Sequence, residues 1–155
     1  MMSIIIDANC STDALRSDPT ADFAPIVQAL RDGTAKVTFG GTTLLNEYKK
    51  IGTAWRFLVA LDRAGRSQKV NDALVDAEEK LVAKEFALYS NDPHILALAR
   101  ISGARLLCSR DQALHQDFGN RAIINRPRGF VYQDAKHKHL IRKCCNSPRA
   151  EGGTL

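Results

Sequence analysis

Ser3-Ile4-Ile5-Ile6-Asp7-Ala8-Asn9 is the stretch whose reading decides the fold. Three consecutive isoleucines are β-branched and stiff, which suits a short strand buried on both faces. The run stops at Asp7, whose carboxylate then stands at the strand's C-terminal tip. In open α/β sheets that tip is where ligands bind. Read alone, Asp7 is first of all a cap for the turn into the next helix. The choice between cap and site rests on the residues that join it further along the chain.

Outward from this strand, residues 20–32 read as a helix, with Asp22 near its start, Pro25 in its first turn and Gly33 as its stop. Residues 36–39 form a second short strand ended by Gly40-Gly41. From 42 to about 64, Leu44, Leu45, Tyr48, Ile51, Trp55, Leu58 and Leu61 recur at helical steps, predicting one long helix weakened at Gly52. Residues 65–70 read as a polar, basic loop, and Asn71 as the cap of a helix with Leu74, Val75, Leu81 and Val82 turned inward. A helix over 93–102 has Asp92 or Asn91 at its cap, Pro93 at the favoured first position and Gly103 at its end. Residues 104–108 are a buried strand, and Ser109-Arg110-Asp111-Gln112 fits a capping box opening a helix through Phe118. Short strands are expected at 121–125 and 130–132. Helices alternating with short hydrophobic strands indicate an α/β fold with a central, mostly parallel sheet of four to five short strands flanked by helices.

At 155 residues the chain holds one domain, large enough to bury a core without staples. Its 45% hydrophobic and 25% charged content excludes a disordered or fibrous class. No apolar run approaches the ~20 residues of a membrane span, and the N-terminus lacks the pattern of a signal peptide. Cys10, Cys108, Cys144 and Cys145 show no Cys-x-x-Cys spacing, so a reducing, cytoplasmic location is expected. The net charge of +5 is uneven. Between Arg121 and Arg149 stand eight Lys/Arg and one acid, Asp134, against 14 basic and 16 acidic residues elsewhere. The division expected is a compact domain over 1–132 and a basic C-terminal tail over 133–155. A basic arm beside an acidic site suits a phosphate polymer as partner; a solubilising tail is the plainer alternative.

Four acids share one address in this scheme. Asp7 follows the first strand, Glu47 lies early in the helix after the second, Asp92 opens a later helix, and Asp111 follows the third buried strand. Carboxylates gathered at one edge repel each other and are costly to desolvate unless a cation compensates them. Hard divalent cations prefer such oxygen ligands. Taken singly, Asp92 and Ser109 are good caps and Glu47 has Lys49 or Lys50 as a helical partner.

Four segments carry a family resemblance: Ile-Ile-Ile-Asp-Ala-Asn at the start, Leu-Asn-Glu-Tyr around Glu47, Ser-Asn-Asp-Pro-His-Ile-Leu-Ala-Leu-Ala around Asp92, and Leu-Leu-Cys-Ser-Arg-Asp around Asp111. In order and spacing, over residues 3–125, the sequence resembles PIN domains, metal-dependent ribonucleases that include the toxin halves of many bacterial toxin–antitoxin pairs. The resemblance implies a three-layer sandwich and an endoribonuclease in which Asp7, Glu47, Asp92 and Asp111 bind Mg²⁺ or Mn²⁺ and cut RNA. It implies that Asn9 and Ser109 orient water or substrate, and it makes an antitoxin protein and a homodimer candidate partners. The basic tail lies outside what the resemblance covers. The alternatives are a catalytically silent PIN-like scaffold that binds RNA or protein, and a phosphotransfer domain with Asp7 as nucleophile. The second is disfavoured because Asn9 stands where an Asp-x-Asp motif needs its second acid.

Asp117, six residues past Asp111, is a further candidate acid, with a surface position on its helix the plainer reading. His94 is expected to be structural or substrate-facing, and Trp55 and Phe57 to belong to the core or a partner groove. His137, His139, Cys144 and Cys145 match no usual zinc spacing.

Overall fold

The computed structural model describes residues 2–143. In chain order the elements are β1 (Met2–Ile6), α1 (Ala8–Ala14), α2 (Ala24–Asp32), β2 (Ala35–Gly40), α3 (Thr42–Lys49), α4 (Gly52–Arg63), β3 (Ser67–Val70), α5 (Asp72–Glu85), α6 (Pro93–Ser102), β4 (Leu106–Cys108), α7 (Gln112–Phe118), β5 (Phe130–Tyr132), a 3₁₀ turn (Ala135–His137) and α8 (Leu140–Lys143). The five strands are all parallel, in the order β3-β2-β1-β4-β5. Helices flank them as a three-layer α/β sandwich, the class the sequence predicts.

Why the isoleucines stand together follows from the position of β1. Its residues Met2–Ile4 pair with Ala35–Val37 on one side, and Ile4–Ile6 pair with Leu106–Cys108 on the other. A central strand of a covered sheet has no outward face, and Ile4, Ile5 and Ile6 expose nothing. Each contributes roughly 1.5–3 kcal/mol by burial. From β1 the chain winds outward through β2 and β3, then crosses back to β4 and β5 on the other flank. The winding therefore reverses between β1 and β4, and the C-terminal ends of these two strands are where open α/β sheets of this kind form their crevice.

Several elements depart from expectation. Residues 65–70, expected as a loop, contain β3. An edge strand has one partner and needs little apolar surface. Here the polar side chains are themselves used: Gln68 Oε1 accepts from the Ser3 and Thr38 hydroxyls at 3.2 and 3.3 Å, a rung across three strands. Residues 121–125, expected as a strand, form turns outside the sheet, where Ile123 and Ile124 are buried and donate their N–H groups to the Asn120 carbonyl. The single helix expected over 42–64 divides at Lys50-Ile51, because glycine in a helix interior costs about 1 kcal/mol and Ile51 leaves the helical region at φ −111°, ψ 88°. The helix expected from residue 20 starts at Ala24, and α1 has no counterpart in the sequence reading. On α5, Val75 and Val82 are buried as expected, but Leu74 and Leu81 are 57% and 49% exposed. Asn71 caps that helix, accepting from the Leu74 N–H at 3.1 Å.

The start of α3 is gripped from outside. Asp72 accepts from the Gly41 N–H at 2.9 Å, Asp76 from the Thr42 N–H and hydroxyl at 2.8 and 2.6 Å, and Glu79 from the Thr43 hydroxyl at 3.1 Å. Carboxylates of α5 thus satisfy donors that α3 leaves free at its positive end. Gly41 makes the approach possible at φ +89°, with a Cβ there placed 2.6 Å from Val75 Cγ1. Gly41→Ala is therefore expected to cost about 1–3 kcal/mol in urea unfolding; a cost under about 0.5 kcal/mol would show that the turn does not need glycine.

Beyond β5 the chain stays on the domain. Tyr132 donates its hydroxyl to the Asp22 carbonyl, His137 stacks edgewise on Tyr132 at 6.3 Å, and Ile141 is buried. Lys138, His139 and Arg142 line a groove of about 470 Å³ along α2, and Arg142 helps hold Asp32 below the ordinary carboxylate range behind its hydrogen bonds from Thr34. The rest of the basic tail, including Cys144, Cys145 and Arg149, lies outside the described residues. Among the described residues no helix is long and apolar enough to cross a membrane.

Candidate metal centre

The crevice between β1 and β4 gathers the acids. Asp7 continues the ladder by donating its N–H to the Cys108 carbonyl at 3.0 Å. It sits at the N-cap of α1, yet its side chain makes no capping bond. Instead the carboxylate, 5% exposed, accepts from the buried Ser109 hydroxyl at 3.0 Å. Burial raises its pKa first, the Ser109 bond opposes this, and the charge of Glu47 raises it further.

Glu47 reaches the crevice from α3. Its neighbour Tyr48 is fully buried and donates its hydroxyl to the Ile6 carbonyl, which fixes α3 against the end of β1. Glu47 does not pair with Lys49 or Lys50. Its Oε1 lies 2.8 Å from Nε2 of His94, a side chain only 3% exposed.

Asp92 occupies the N-cap of α6 but makes no side-chain capping bond, and Pro93 follows it in the first turn. Its carboxyl is therefore free to face the crevice. Burial, then the nearby charge of Asp7, raises its pKa to about 6; His94 opposes this, while Asp111 and Glu47 add to it. Asp111, in contrast, does cap a helix: it accepts from the Ala113 and Leu114 N–H groups at 3.0 and 3.3 Å. The expected capping box is thus displaced. Asp111 serves α7, and Ser109 turns to Asp7 while accepting from the Asp111 N–H at 3.1 Å.

The four acids are electrostatic neighbours, each acting on the ionisation of Asp92 or Asp7. Three donors are closer still: one ligand atom each from Glu47, Asp92 and His94 lie within 4.8 Å of one another. A donor set of two carboxylates and an imidazole suits a divalent cation, and these residues fit one. Asn9 is exposed on α1, and Ser109 is buried against Asp7.

His94 is the residue that the sequence reading underrated; the clue was its place two residues after Asp92, on the turn entering the crevice. Asp117, expected at the surface, is 1% exposed. It accepts from the Tyr89 and Ser90 N–H groups at 3.0 and 2.9 Å and from the Ser90 hydroxyl at 2.7 Å. Ser90 Oγ in turn accepts from the Asp92 N–H at 3.3 Å, so a buried carboxylate on α7 pins the segment that carries Asp92.

No protein-family model, curated protein or solved structure matches the chain.

Proposed function

We propose that this protein is a metal-dependent endoribonuclease that hydrolyses RNA phosphodiester bonds at Asp7, Glu47, Asp92 and Asp111. The reading is carried by one observation: four carboxylates from separate segments converge where the winding of the sheet reverses, two of them with raised pKa values. Such crowding costs stability and gains a purpose when a cation compensates it. Asp7, Asp92 and Glu47 would hold the cation, with Asp111 adding negative charge nearby. A divalent cation supplies a water of lowered pKa and neutralises charge on phosphoryl oxygens. The Ser109 hydroxyl orients Asp7 toward the crevice. RNA as substrate, and an antitoxin-like partner, follow from the resemblance of the four segments to PIN domains. The net charge of +5 agrees with a polyanionic ligand.

The test is cleavage of a labelled RNA with Mg²⁺ or Mn²⁺, then with excess chelator. Cleavage that chelator abolishes and added metal restores is expected. Full activity in excess chelator would remove the metal, and no cleavage by metal-loaded protein would leave a binding scaffold. In parallel, metal at about 100 Kd should add about 2.7 kcal/mol to native stability, raising Tm by roughly 5–10 °C.

A further inference from the structure

We propose that His94 is a direct nitrogen ligand at this centre, and that it turns the site's preference from Mg²⁺ toward first-row transition-metal ions, for which Mn²⁺ is the probe. The inference rests on the metal-binding part of the proposed function and not on RNA as its substrate.

The geometry points this way on three grounds. An imidazole buried to 97% of its surface is aimed at carboxylates rather than into the apolar core. The Nε2–Oε1 separation of 2.8 Å between His94 and Glu47 is close to the spacing of adjacent ligands on one ion: with metal–ligand bonds of about 2.1 Å at right angles, neighbouring donors lie about 3.0 Å apart and opposite donors about 4.2 Å. The 4.8 Å bound that encloses Glu47, Asp92 and His94 then needs only a small side-chain adjustment for all three to share an ion. Finally, Asp92 and His94 sit at the N-cap and in the first turn of one helix, with Pro93 between them. The entering chain that delivers the oxygen therefore delivers the nitrogen as well.

The metal-free contact is a hydrogen bond between Nε2 and Glu47. To ligate, Nε2 offers the lone pair of a neutral imidazole whose proton resides on Nδ1. Nitrogen donors discriminate among ions in a way that carboxylates do not. Mg²⁺ binds oxygen and gives up its waters reluctantly, whereas imidazole affinity rises along the first-row series that begins at Mn²⁺. The carboxylates keep the site hard enough for Mn²⁺, and the imidazole separates it from Mg²⁺.

The experiment uses the full metal-free chain. Mn²⁺ is titrated by electron paramagnetic resonance, Mg²⁺ by calorimetry, and pulsed resonance looks for coupling between bound Mn²⁺ and an imidazole nitrogen. Wild type is expected to bind Mn²⁺ at least about tenfold more tightly than Mg²⁺ and to show the nitrogen coupling. His94→Gln, which keeps a hydrogen-bonding partner for Glu47, should lose the coupling and about tenfold or more in Mn²⁺ affinity, with Mg²⁺ affinity nearly unchanged. Bound Mn²⁺ without nitrogen coupling in wild type overturns the proposal, whatever the fate of the variant. Equal losses for both ions also overturn it, since His94 would then only position Glu47. Nitrogen-coupled Mn²⁺ in a protein that cleaves no RNA supports this ligand and removes the ribonuclease reading; failure to bind either ion overturns both.

Discussion

Asp92→Asn is expected to end metal-dependent stabilisation and to lower RNA cleavage by orders of magnitude, while leaving the metal-free fold as stable as wild type or more so. The reason is that the Asp92 carboxylate does no capping work that the substitution would take away. What it does in the metal-free protein is resist ionisation, with a pKa of about 6 against 3.8. A carboxyl that is harder to ionise in the folded state than in the unfolded chain lowers stability as pH rises. The loss begins near the unfolded value and is complete above about 6. At full strength the shift corresponds to about 3 kcal/mol; screening by water at this half-buried group brings it to the order of 1–2 kcal/mol. Without metal, wild type should therefore lose stability between about pH 4 and 6, and Asp92→Asn should lose less. Urea unfolding at pH 4, 5, 6 and 7 reads this directly. Glu85→Gln, on the exposed end of α5, is the control that should leave both metal binding and cleavage intact. A variant with near-normal cleavage and the wild-type pH slope would take Asp92 out of the site.

The second large effect is expected at Asp117, which is not among the candidate metal ligands. Asp117→Ala strips the acceptor from two backbone N–H groups and a hydroxyl, of which the Ser90 N–H and hydroxyl are buried and the Tyr89 N–H is partly so. Buried donors left without partners cost about 1–3 kcal/mol each, and they are not fully additive. A loss of roughly 3–5 kcal/mol is expected in urea unfolding, a large share of a domain's stability. Ser90→Ala, which leaves the two backbone bonds in place, should cost only about 1–2 kcal/mol. Metal affinity should fall with both, because the Asp92 N–H rests on Ser90 Oγ. If Asp117→Ala stayed within about 1 kcal/mol of wild type, the carboxylate would not be what holds this segment.

How much of this was legible in the sequence depended on where each signal was local. The run Ile4–Ile6 announced a strand covered on both faces, and the alternation of elements announced the parallel sheet. The positions of Asp7, Glu47, Asp92 and Asp111 at strand ends and helix starts placed them at one edge. Partner choice was not legible. Asp111 and Ser109 are both good caps, and which of them caps is decided by Asp7, 102 residues away from Ser109 in sequence. Glu47 had two lysines nearby on its own helix and took a histidine 47 residues on instead. Asp117 read as a surface acid because its helix is short and polar on either side; only the folded chain brings Tyr89 and Ser90 under it. β3 was hidden for a related reason, since an edge strand whose polar side chains bond across the sheet has no hydrophobic pattern to read.

The long sequence separations in the crevice bear on how the protein comes into being. The bond from Ser109 to Asp7 and the contact of His94 with Glu47 each close a large loop, and β1 pairs with β4 from Ile4–Leu106 to Ile6–Cys108. Non-local pairings of this kind are slow to form, because chain entropy is lost before contacts reward it. Until they form, the acids are scattered along an expanded chain, too far apart to repel one another or to hold a cation together. The centre thus depends on contacts between segments far apart in sequence. A nascent chain that ends after His94 and before Leu106 lacks β4 and the Ser109 hydroxyl that hold Asp7, although Glu47, Asp92 and His94 are already in it.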